Sequence, residues 1–339
     1  MIEIKEKDKN KIQGLRFIDL FAGIGGFHLA LSSFDTNCVF SSEWDKHAQK
    51  VYQNNFGIKP FGDITKIDEK DIPPHDIICG GFPCQAFSIS GKQKGFEDSR
   101  GTLFFDIARI TNFHNPKLLI LENVFNLEKH DKGRTLKVIV NTLNDLGYNC
   151  FHKVLNSSHY GIPQMRRRIF FVCFRKDLGI TEFQFPKPTK TDSRLVDFLE
   201  ESVEEYVFPK KESLKNLKLK SQMSIQQSLE LDVDKEFVGS IRLGSINRGG
   251  QGERIYSPLG SGITLSAYGG GVGSKTGLYL IDGRIRKLSP RECANITGFP
   301  KSFKLHENKN QSYKQFGNSV VVDVIQHILI EINKRFCSL

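Results

Sequence analysis

Short apolar runs separated by helical patterns fill the first half of the chain and constrain its fold more than any other feature. The runs are residues 15–20, 38–40, 77–79, 118–121 and 169–172. Each of the first four is followed by glycine or acidic residues and then by a helical pattern. Such runs are typical of buried parallel strands joined by crossover helices. The first half is therefore predicted to be an open α/β sheet with ligands at the carboxyl ends of its strands.

The second half has a different character from about residue 187, where proline, threonine, lysine and glutamate replace the apolar runs. Residues 242–279 are rich in glycine and carry several cations, a composition suited to loops whose backbone approaches a partner closely. A surface insertion without function is the alternative. Helical character returns over residues 319–334, so we expect the chain to rejoin the first domain around an inserted second one.

Composition limits the classes of protein to which the chain can belong. The net charge of +10 over 339 residues fits a polyanionic partner. There is no apolar run of the roughly 20 residues that a membrane span needs, and the N-terminus lacks a secretory apolar stretch. The seven cysteines are widely spaced without a Cys-x-x-Cys pair, which indicates a reducing compartment and no zinc site. A cytoplasmic protein is expected.

The first apolar run ends in a glycine-rich turn, Asp19-Leu20-Phe21-Ala22-Gly23-Ile24-Gly25-Gly26-Phe27. The turn fails the dinucleotide pattern because His28 stands where a third glycine is required. Glu43, after the second run, can accept both ribose hydroxyls. Trp44 and Phe21 could enclose an adenine ring, with core packing as the alternative. These features favour a nucleoside without pyrophosphate, and S-adenosylmethionine is the common cofactor of that kind.

Two further segments end in residues that could take part in binding or catalysis. The acid of Gly62-Asp63-Ile64-Thr65 would end a third strand, and Gly80-Gly81-Phe82-Pro83-Cys84-Gln85 follows the fourth. A cysteine is by default a small buried hydrophobe, which suits Cys79 and Cys173 but not Cys84 in a polar turn. A thiolate near backbone amides or cations is a nucleophile, so Cys84 is the candidate.

The fifth strand and the one after it place charged groups at the same edge. Glu122 ends the fifth strand, either as a helix cap or as an acid beside Cys84. Arg166 and Arg168 alternate into the next strand and are expected on one face. They would either hold a substrate anion or guard a solvated edge.

Six blocks in this order resemble the cytosine C5 DNA methyltransferase family. They are residues 19–26, 83–85, 122–124, 164–168, 286–293 and 315–320. The resemblance covers nearly the whole chain except residues 190–240. It implies a Rossmann-like S-adenosylmethionine-dependent methyltransferase sheet with an inserted smaller target-recognition domain. The expected boundaries are 1–190 for the catalytic and cofactor-binding domain, completed by 317–339, then 191–289 for target recognition and 290–316 for a hinge region.

The resemblance also implies roles for single residues. Cys84 would add to C6 of a flipped-out cytosine while Glu122 donates to N3, with Arg166 and Arg168 positioning the acid and the base. The positions implied for S-adenosylmethionine are Phe21, Ala22, Gly23, Ile24, Gly25, Gly26, Glu43, Trp44, Asp63, Ile64, Phe82, Asn318 and Ser319.

A base inside a duplex must rotate out to be methylated, so other side chains must fill the space that it leaves. The resemblance assigns this to Ser90 and Gln251, and guanine reading to Arg254. Thr264 and Gly271 complete the implied DNA contacts. The blocks around them resemble a bacterial member of the family that methylates the inner cytosine of GCGC, and GCGC is the expected target. The likeness lapses over residues 272–274 and before residue 242, so the outer base pairs are not assigned.

The expected partners are double-stranded DNA and a separately encoded restriction endonuclease of a restriction-modification system. A monomer in the bacterial cytoplasm is expected, without metal or membrane. A tRNA cytosine C5 methyltransferase and a non-catalytic DNA-binding protein remain the alternatives. Methyl transfer to an exocyclic amino group would need an Asp/Asn/Ser-Pro-Pro-aromatic block after the fourth strand. Ile72-Pro73-Pro74-His75 is misplaced and ends wrongly for this role.

Overall fold

The computed structural model describes residues 11–83, 103–189, 192–220 and 239–336. Within these ranges the chain divides into two compact units. The first unit holds the described residues up to Leu155, Arg167–Pro186 and those from Ile325 onward. The second unit holds Asn156–Arg166 and Lys187–Val324. The division falls within the last helix.

A six-stranded sheet forms the centre of the first unit. Its strands are β1 (Arg16–Leu20), β2 (Asn37–Ser42), β3 (Ile77–Gly81), β4 (Leu118–Val124), β5 (Tyr148–Asn156) and β7 (Arg167–Arg175). They lie in the order β2-β1-β3-β4-β7-β5. The first four pair in parallel and β7 is antiparallel to β4. Most residues of β1, β3 and β4 are fully buried, because helices cover a parallel sheet on both faces.

Helices connect these strands and close the chain. They are α1 (Gly26–Ser32), α2 (Lys46–Phe56), α3 (Leu103–His114), α4 (Arg134–Asp145), α5 (Pro290–Asn295), α6 (Lys309–Asn318) and α7 (Val322–Phe336). Asp45 caps α2 by accepting from the amides of His47 and Ala48, which places the start of this helix directly after the end of β2. None of the helices in the described ranges is long and apolar enough to cross a membrane.

The second unit contains a five-stranded sheet and a separate parallel pair of strands. The strands are β6 (Gln164–Met165), β8 (Lys218–Leu219), β9 (Arg242–Ser245), β10 (Arg254–Tyr256), β11 (Gly262–Ile263), β12 (Leu278–Ile281) and β13 (Arg284–Arg286). The sheet has the order β13-β12-β10-β9-β8, and β6 pairs with β11. A small apolar core that includes Leu243, Ile255 and Leu278 lies against the five-stranded sheet. This region was expected to be irregular, because strands of two to four residues with glycine and arginine show almost no alternation.

The sheet of the first unit corrects the expected strand count. The third strand expected before Gly62 is only an isolated bridge between Ser42 and Phe61, so the strand before Cys84 is the third of the sheet. Strand β5 was not foreseen. Its Cys150 faces Cys173 of β7, a cross-strand pair that spacing along the chain does not reveal. Residues 156–166 and 290–324 group with the second unit. The expected boundaries of the catalytic, target-recognition and hinge regions stay predictions.

Candidate active site

The glycine turn reverses the chain between β1 and α1 through left-handed backbone. Phe21, Gly23 and Gly25 have φ values of 55°, 56° and 88°. A Cβ on Gly25 would lie 2.2 Å from the ring of Phe56, which itself stacks on His28, so Gly25 is required on both steric and conformational grounds. The Ala22 amide donates to the Ser42 carbonyl at 2.9 Å, which ties the turn to the end of β2.

Glu43 lies directly beside this turn. Its Oε2 accepts from the Gly23 amide and its Oε1 from the Asp45 amide, both at 2.8 Å. The side chain is buried, and burial raises the pKa of this carboxyl. Two backbone donors therefore orient the carboxylate, and each of its oxygens keeps capacity to accept from a hydroxyl. The structure thus joins the predicted acid to the predicted turn.

A buried polar cluster lies under the turn and was not foreseen. Asp19 accepts from the hydroxyl of Tyr52 at 3.5 Å and from the thiol of Cys79 at 3.7 Å. Burial raises the pKa of Asp19 well above its usual range. The Tyr52 hydroxyl lies 2.6 Å from Nδ1 of His28, and burial lowers the pKa of this histidine to about 4. These groups tie β1, β3, α1 and α2 together beneath the glycines.

Two aromatic rings near Glu43 face solvent. Trp44 is 80% exposed, which excludes core packing as its explanation, whereas Phe21 is partly buried against the core. Phe61 is 56% exposed and stacks on Phe40 with ring centroids 4.8 Å apart. The Glu43 amide donates to the Phe61 carbonyl, so this ring belongs to the same edge. The sequence pattern missed Phe61, although its position directly before Gly62-Asp63 was a usable signal.

Asp63 starts a short 3₁₀ helix, Ile64–Lys66, and accepts from the Thr65 amide and hydroxyl at 3.1 and 2.8 Å. Its side chain is 37% exposed, whereas Ile64 is buried. Ser42 donates its hydroxyl to the Gly62 carbonyl at 2.8 Å. Asp63 therefore lies at the same edge of the sheet as the end of β2.

The end of β3 leads to the predicted nucleophile. Phe82 is buried in the core, and its carbonyl accepts from the side-chain amide of Asn123 at 2.9 Å. A Cβ on Gly80 would lie 2.5 Å from the Leu20 carbonyl oxygen, so β3 packs against β1 as closely as glycine allows. Cys84 and Ser90 lie outside the described residues.

Glu122 and Arg168 form an ion pair at the end of β4. Arg168 Nε lies 2.9 Å from Glu122 Oε1, and the two side chains are only 10% and 16% exposed. The pairing of Val124 with Arg168 across β4 and β7 produces this contact. Since the carboxyl ends of β3 and β4 pair as Gly81 with Glu122, the acid lies next to the strand that leads to Cys84.

Arg166 has different partners from those expected. Strand β7 begins at Arg167, so Arg166 precedes the strand and does not alternate with Arg168 on it. Its guanidinium donates to the carbonyls of Leu265 at 3.2 Å, Gly317 at 3.1 Å and Ser319 at 2.7 Å, all within the second unit. Arg166 thus holds the end of α6, where Asn318 is exposed and Ser319 is buried.

The residues predicted to read DNA lie on two loops of the second unit that pack backbone to backbone. A Cβ on Gly252 would lie 2.1 Å from the Gly270 carbonyl oxygen, and the Gly273 amide donates to the Gly252 carbonyl at 2.7 Å. The loops therefore bring Gln251 and Gly271, both exposed, close together.

Three further residues lie on or beside these loops. Arg254 begins β10 and is partly exposed, while Thr264 donates its hydroxyl to the Met165 carbonyl. Tyr268 is 74% exposed beside the glycines and was not singled out by its sequence context. Among the described residues no group of three or more His, Cys, Asp or Glu side chains is placed to hold a metal ion.

Comparison with known proteins agrees with this geometry. The model of the family described as C-5 cytosine-specific DNA methylase matches residues 15–334. The Type II methyltransferase M.HhaI of Haemophilus parahaemolyticus is 56% identical over 98% of this chain and 97% of its own length. The Type II methyltransferase M.HpaII of Haemophilus parainfluenzae is 42% identical over 95% of this chain and 90% of its own length.

Solved structures confirm the predicted fold class. A DNMT2 of Spodoptera frugiperda matches with a TM-score of 0.70 at 20% identity, over 96% of this chain and all of that one. A putative DNA modification methyltransferase encoded within an Escherichia coli prophage has a TM-score of 0.67 at 21% identity, over 95% of this chain and 99% of that one. The chain therefore belongs to the C-5 cytosine-specific DNA methylase family and is a DNA cytosine-5 methyltransferase.

Proposed function

We propose that the protein methylates C5 of the inner cytosine of GCGC in duplex DNA, with S-adenosylmethionine as methyl donor. The observation that carries the chemistry is the ion pair of Glu122 with Arg168 beside the strand that runs into Pro83-Cys84. The high identity with M.HhaI over nearly the whole of both chains supports the target. The similarity to several Type II methyltransferases supports a role as the modification component of a restriction-modification system.

The described residues of the first unit fit S-adenosylmethionine. The turn through Gly23 and Gly25 allows close approach of the backbone, and Glu43 presents an oriented carboxylate to ribose hydroxyls. Trp44 offers an uncovered indole face to adenine, and Asp63 lies on the same side of the sheet. Ala22, Ile24, Gly26, Phe82, Asn318 and Ser319 are the further positions that we propose for the cofactor. When bound, the cofactor supplies a methyl group on a sulfonium.

In this proposal Cys84 is the nucleophile and Glu122 is the general acid that act on the cytosine ring. The Cys84 thiolate forms a bond to C6 while Glu122, once it has taken up a proton from solvent, delivers that proton to N3, so that negative charge does not build on the ring and C5 becomes nucleophilic. Loss of the C5 proton to water later re-forms the C5–C6 double bond and lets the Cys84 thiolate leave, and N3 returns its proton to Glu122. Arg168 keeps Glu122 directed to the base through a charge-assisted hydrogen bond. Arg166 acts as a positioning residue through the backbone at the end of α6.

Recognition of DNA is assigned to the paired glycine loops and to the segment after Cys84. Ser90 and Gln251 would fill the space left by the rotated base, and Arg254 would donate to O6 and N7 of guanine. Thr264 and Gly271 lie on the same loops. We further propose that the protein is a monomer of the bacterial cytoplasm with a separately encoded endonuclease as its counterpart.

Sequencing after bisulfite conversion tests this proposal directly. Unmethylated plasmid and total tRNA are each treated with the protein and S-adenosylmethionine, with Cys84→Ala as the control. We expect conversion-resistant cytosines only at the inner position of GCGC in the plasmid. Methylation at another DNA sequence would refute the target alone, whereas methylation confined to tRNA would refute the substrate. Covalent trapping on DNA that contains 5-fluorocytosine, lost in Cys84→Ala, tests the attack at C6.

A further inference from the structure

Arg109 is held by three elements of the first unit at once. It lies on α3, the helix that follows the segment with Cys84. Its Nη1 lies 2.7 Å from Glu69 Oε2, its Nε lies 2.9 Å from Asp106 Oδ1, and its Nη2 donates to the Ile64 carbonyl at 2.6 Å. The side chain is only 25% exposed. One planar fork therefore joins α3 to the segment of residues 64–71.

The Ile64 carbonyl is the informative contact, because Ile64 follows Asp63 directly. Ile64 begins the short helix that the Asp63 carboxylate caps, so a donor on its carbonyl sets the position and tilt of that helix. A second contact from α3 supports the same segment, since His114 Nε2 lies 2.8 Å from the Glu69 carbonyl oxygen. The placement of Asp63 thus depends on α3.

We infer that Arg109 is a positioning residue for S-adenosylmethionine, which it serves by holding the Asp63–Ile64 backbone in place. The inference rests on the proposed function, because Asp63 and Ile64 are cofactor positions there. A lysine can replace Arg109 only in part, since an ammonium is a point charge without the planar set of donors by which a guanidinium reaches two carboxylates and a carbonyl together. The link also makes α3 common to the cofactor pocket and to the segment that carries Cys84.

Arg175 provides a matched control in the same unit. It too uses a guanidinium fork, to Asp177 at 2.7 and 2.9 Å and to the Asn115 carbonyl, and it lies at the far end of β7 from Arg168. Substitution of either arginine removes one fork from the first unit. Only the substitution of Arg109 releases a predicted cofactor residue.

The experiment uses Trp44, the single tryptophan, as the reporter of cofactor binding. Fluorescence titration with S-adenosylhomocysteine is carried out on the wild type, Arg109→Met, Arg109→Lys and Arg175→Met, and the KM values for cofactor and DNA are measured beside kcat. We expect Arg109→Met to raise Kd and the cofactor KM about tenfold, the effect of losing one charge-assisted hydrogen bond, with the KM for DNA unchanged. The Kd and cofactor KM of Arg109→Lys should lie between those of the wild type and Arg109→Met. Those of Arg175→Met should stay within about twofold of the wild-type values.

The outcomes separate the inference from the function on which it rests. If the wild type binds S-adenosylhomocysteine and Arg109→Met binds it as tightly as Arg175→Met does, the positioning role is wrong and the proposed function stands. If Arg109→Met does not fold, the same comparison is made with Arg109→Lys, whose Kd must exceed that of Arg175→Met. A wild type that does not bind S-adenosylhomocysteine overturns both.

Discussion

The pair of Glu122 and Arg168 is expected to behave as one unit in both stability and catalysis. Both side chains are nearly excluded from water, so Arg168→Met removes a cation that is paired with a buried carboxylate. Removing one partner of such a pair costs about 3–5 kcal/mol. Glu122→Gln should cost less, because the amide oxygen can still accept from the guanidinium. The double variant removes both charges and should recover part of the loss, with a coupling energy of about 1–3 kcal/mol.

A double-mutant cycle measures this coupling. Thermal and urea unfolding of the wild type, Glu122→Gln, Arg168→Met and the double variant give the free energies, and single-turnover methylation of a GCGC duplex gives the rates. Loss of the proton donor should slow Glu122→Gln about 10²–10⁴-fold, and Arg168→Met should add little in that background. The matched control is Arg167→Met, since Arg167 is exposed and stacks on Phe125. Equal destabilisation by Arg168→Met in both backgrounds would refute the energetic link.

Three other predictions rest on single residues. Gly25→Ala should lower the unfolding midpoint and abolish cofactor binding, because its Cβ would overlap the Phe56 ring at φ 88°; a melting curve like that of the wild type would contradict this. Trp44→Ala should leave stability within about 0.5 kcal/mol and weaken binding of S-adenosylhomocysteine by about 1 kcal/mol in calorimetry, since the indole is uncovered. Burial raises the pKa of Asp19, so the folded protein favours the protonated acid. The stability that this gives is fully present below the pKa of Asp19 in the unfolded chain and is lost as pH rises through its pKa in the folded protein. The free energy of unfolding of Asp19→Asn should therefore increase relative to that of the wild type as pH rises above the ordinary pKa of an aspartate. A difference between the two free energies that does not change with pH would contradict this prediction.

The strand ends that carry the candidate site could be predicted because the patterns that mark them span only a few neighbouring residues. An apolar run followed by a glycine or an acid marks a parallel strand and its carboxyl end, and such ends meet at one edge of a sheet. Glu43 and Glu122 were placed correctly at strand ends by this rule, and the glycine turn lies beside Glu43 as expected. The prediction of a third strand before Gly62 was wrong, because an isolated bridge at Phe61 cannot be distinguished from a short strand by sequence.

The α/β class, the glycine turn, the acids at strand ends and the family could be predicted from the order of residues, since they depend on apolar periodicity and on residue identities in a set order. Which side chains share hydrogen-bond and ion-pair partners became known only from the folded chain. Arg168 reaches Glu122 through the antiparallel register of β7, while Arg166, two residues earlier, bonds to backbone near Ser319. The Asp19 cluster, the fork of Arg109 and the sheet of the second unit likewise join residues far apart along the chain. Side-chain direction and strand register are set by packing, and packing between distant segments leaves no short-range pattern to read.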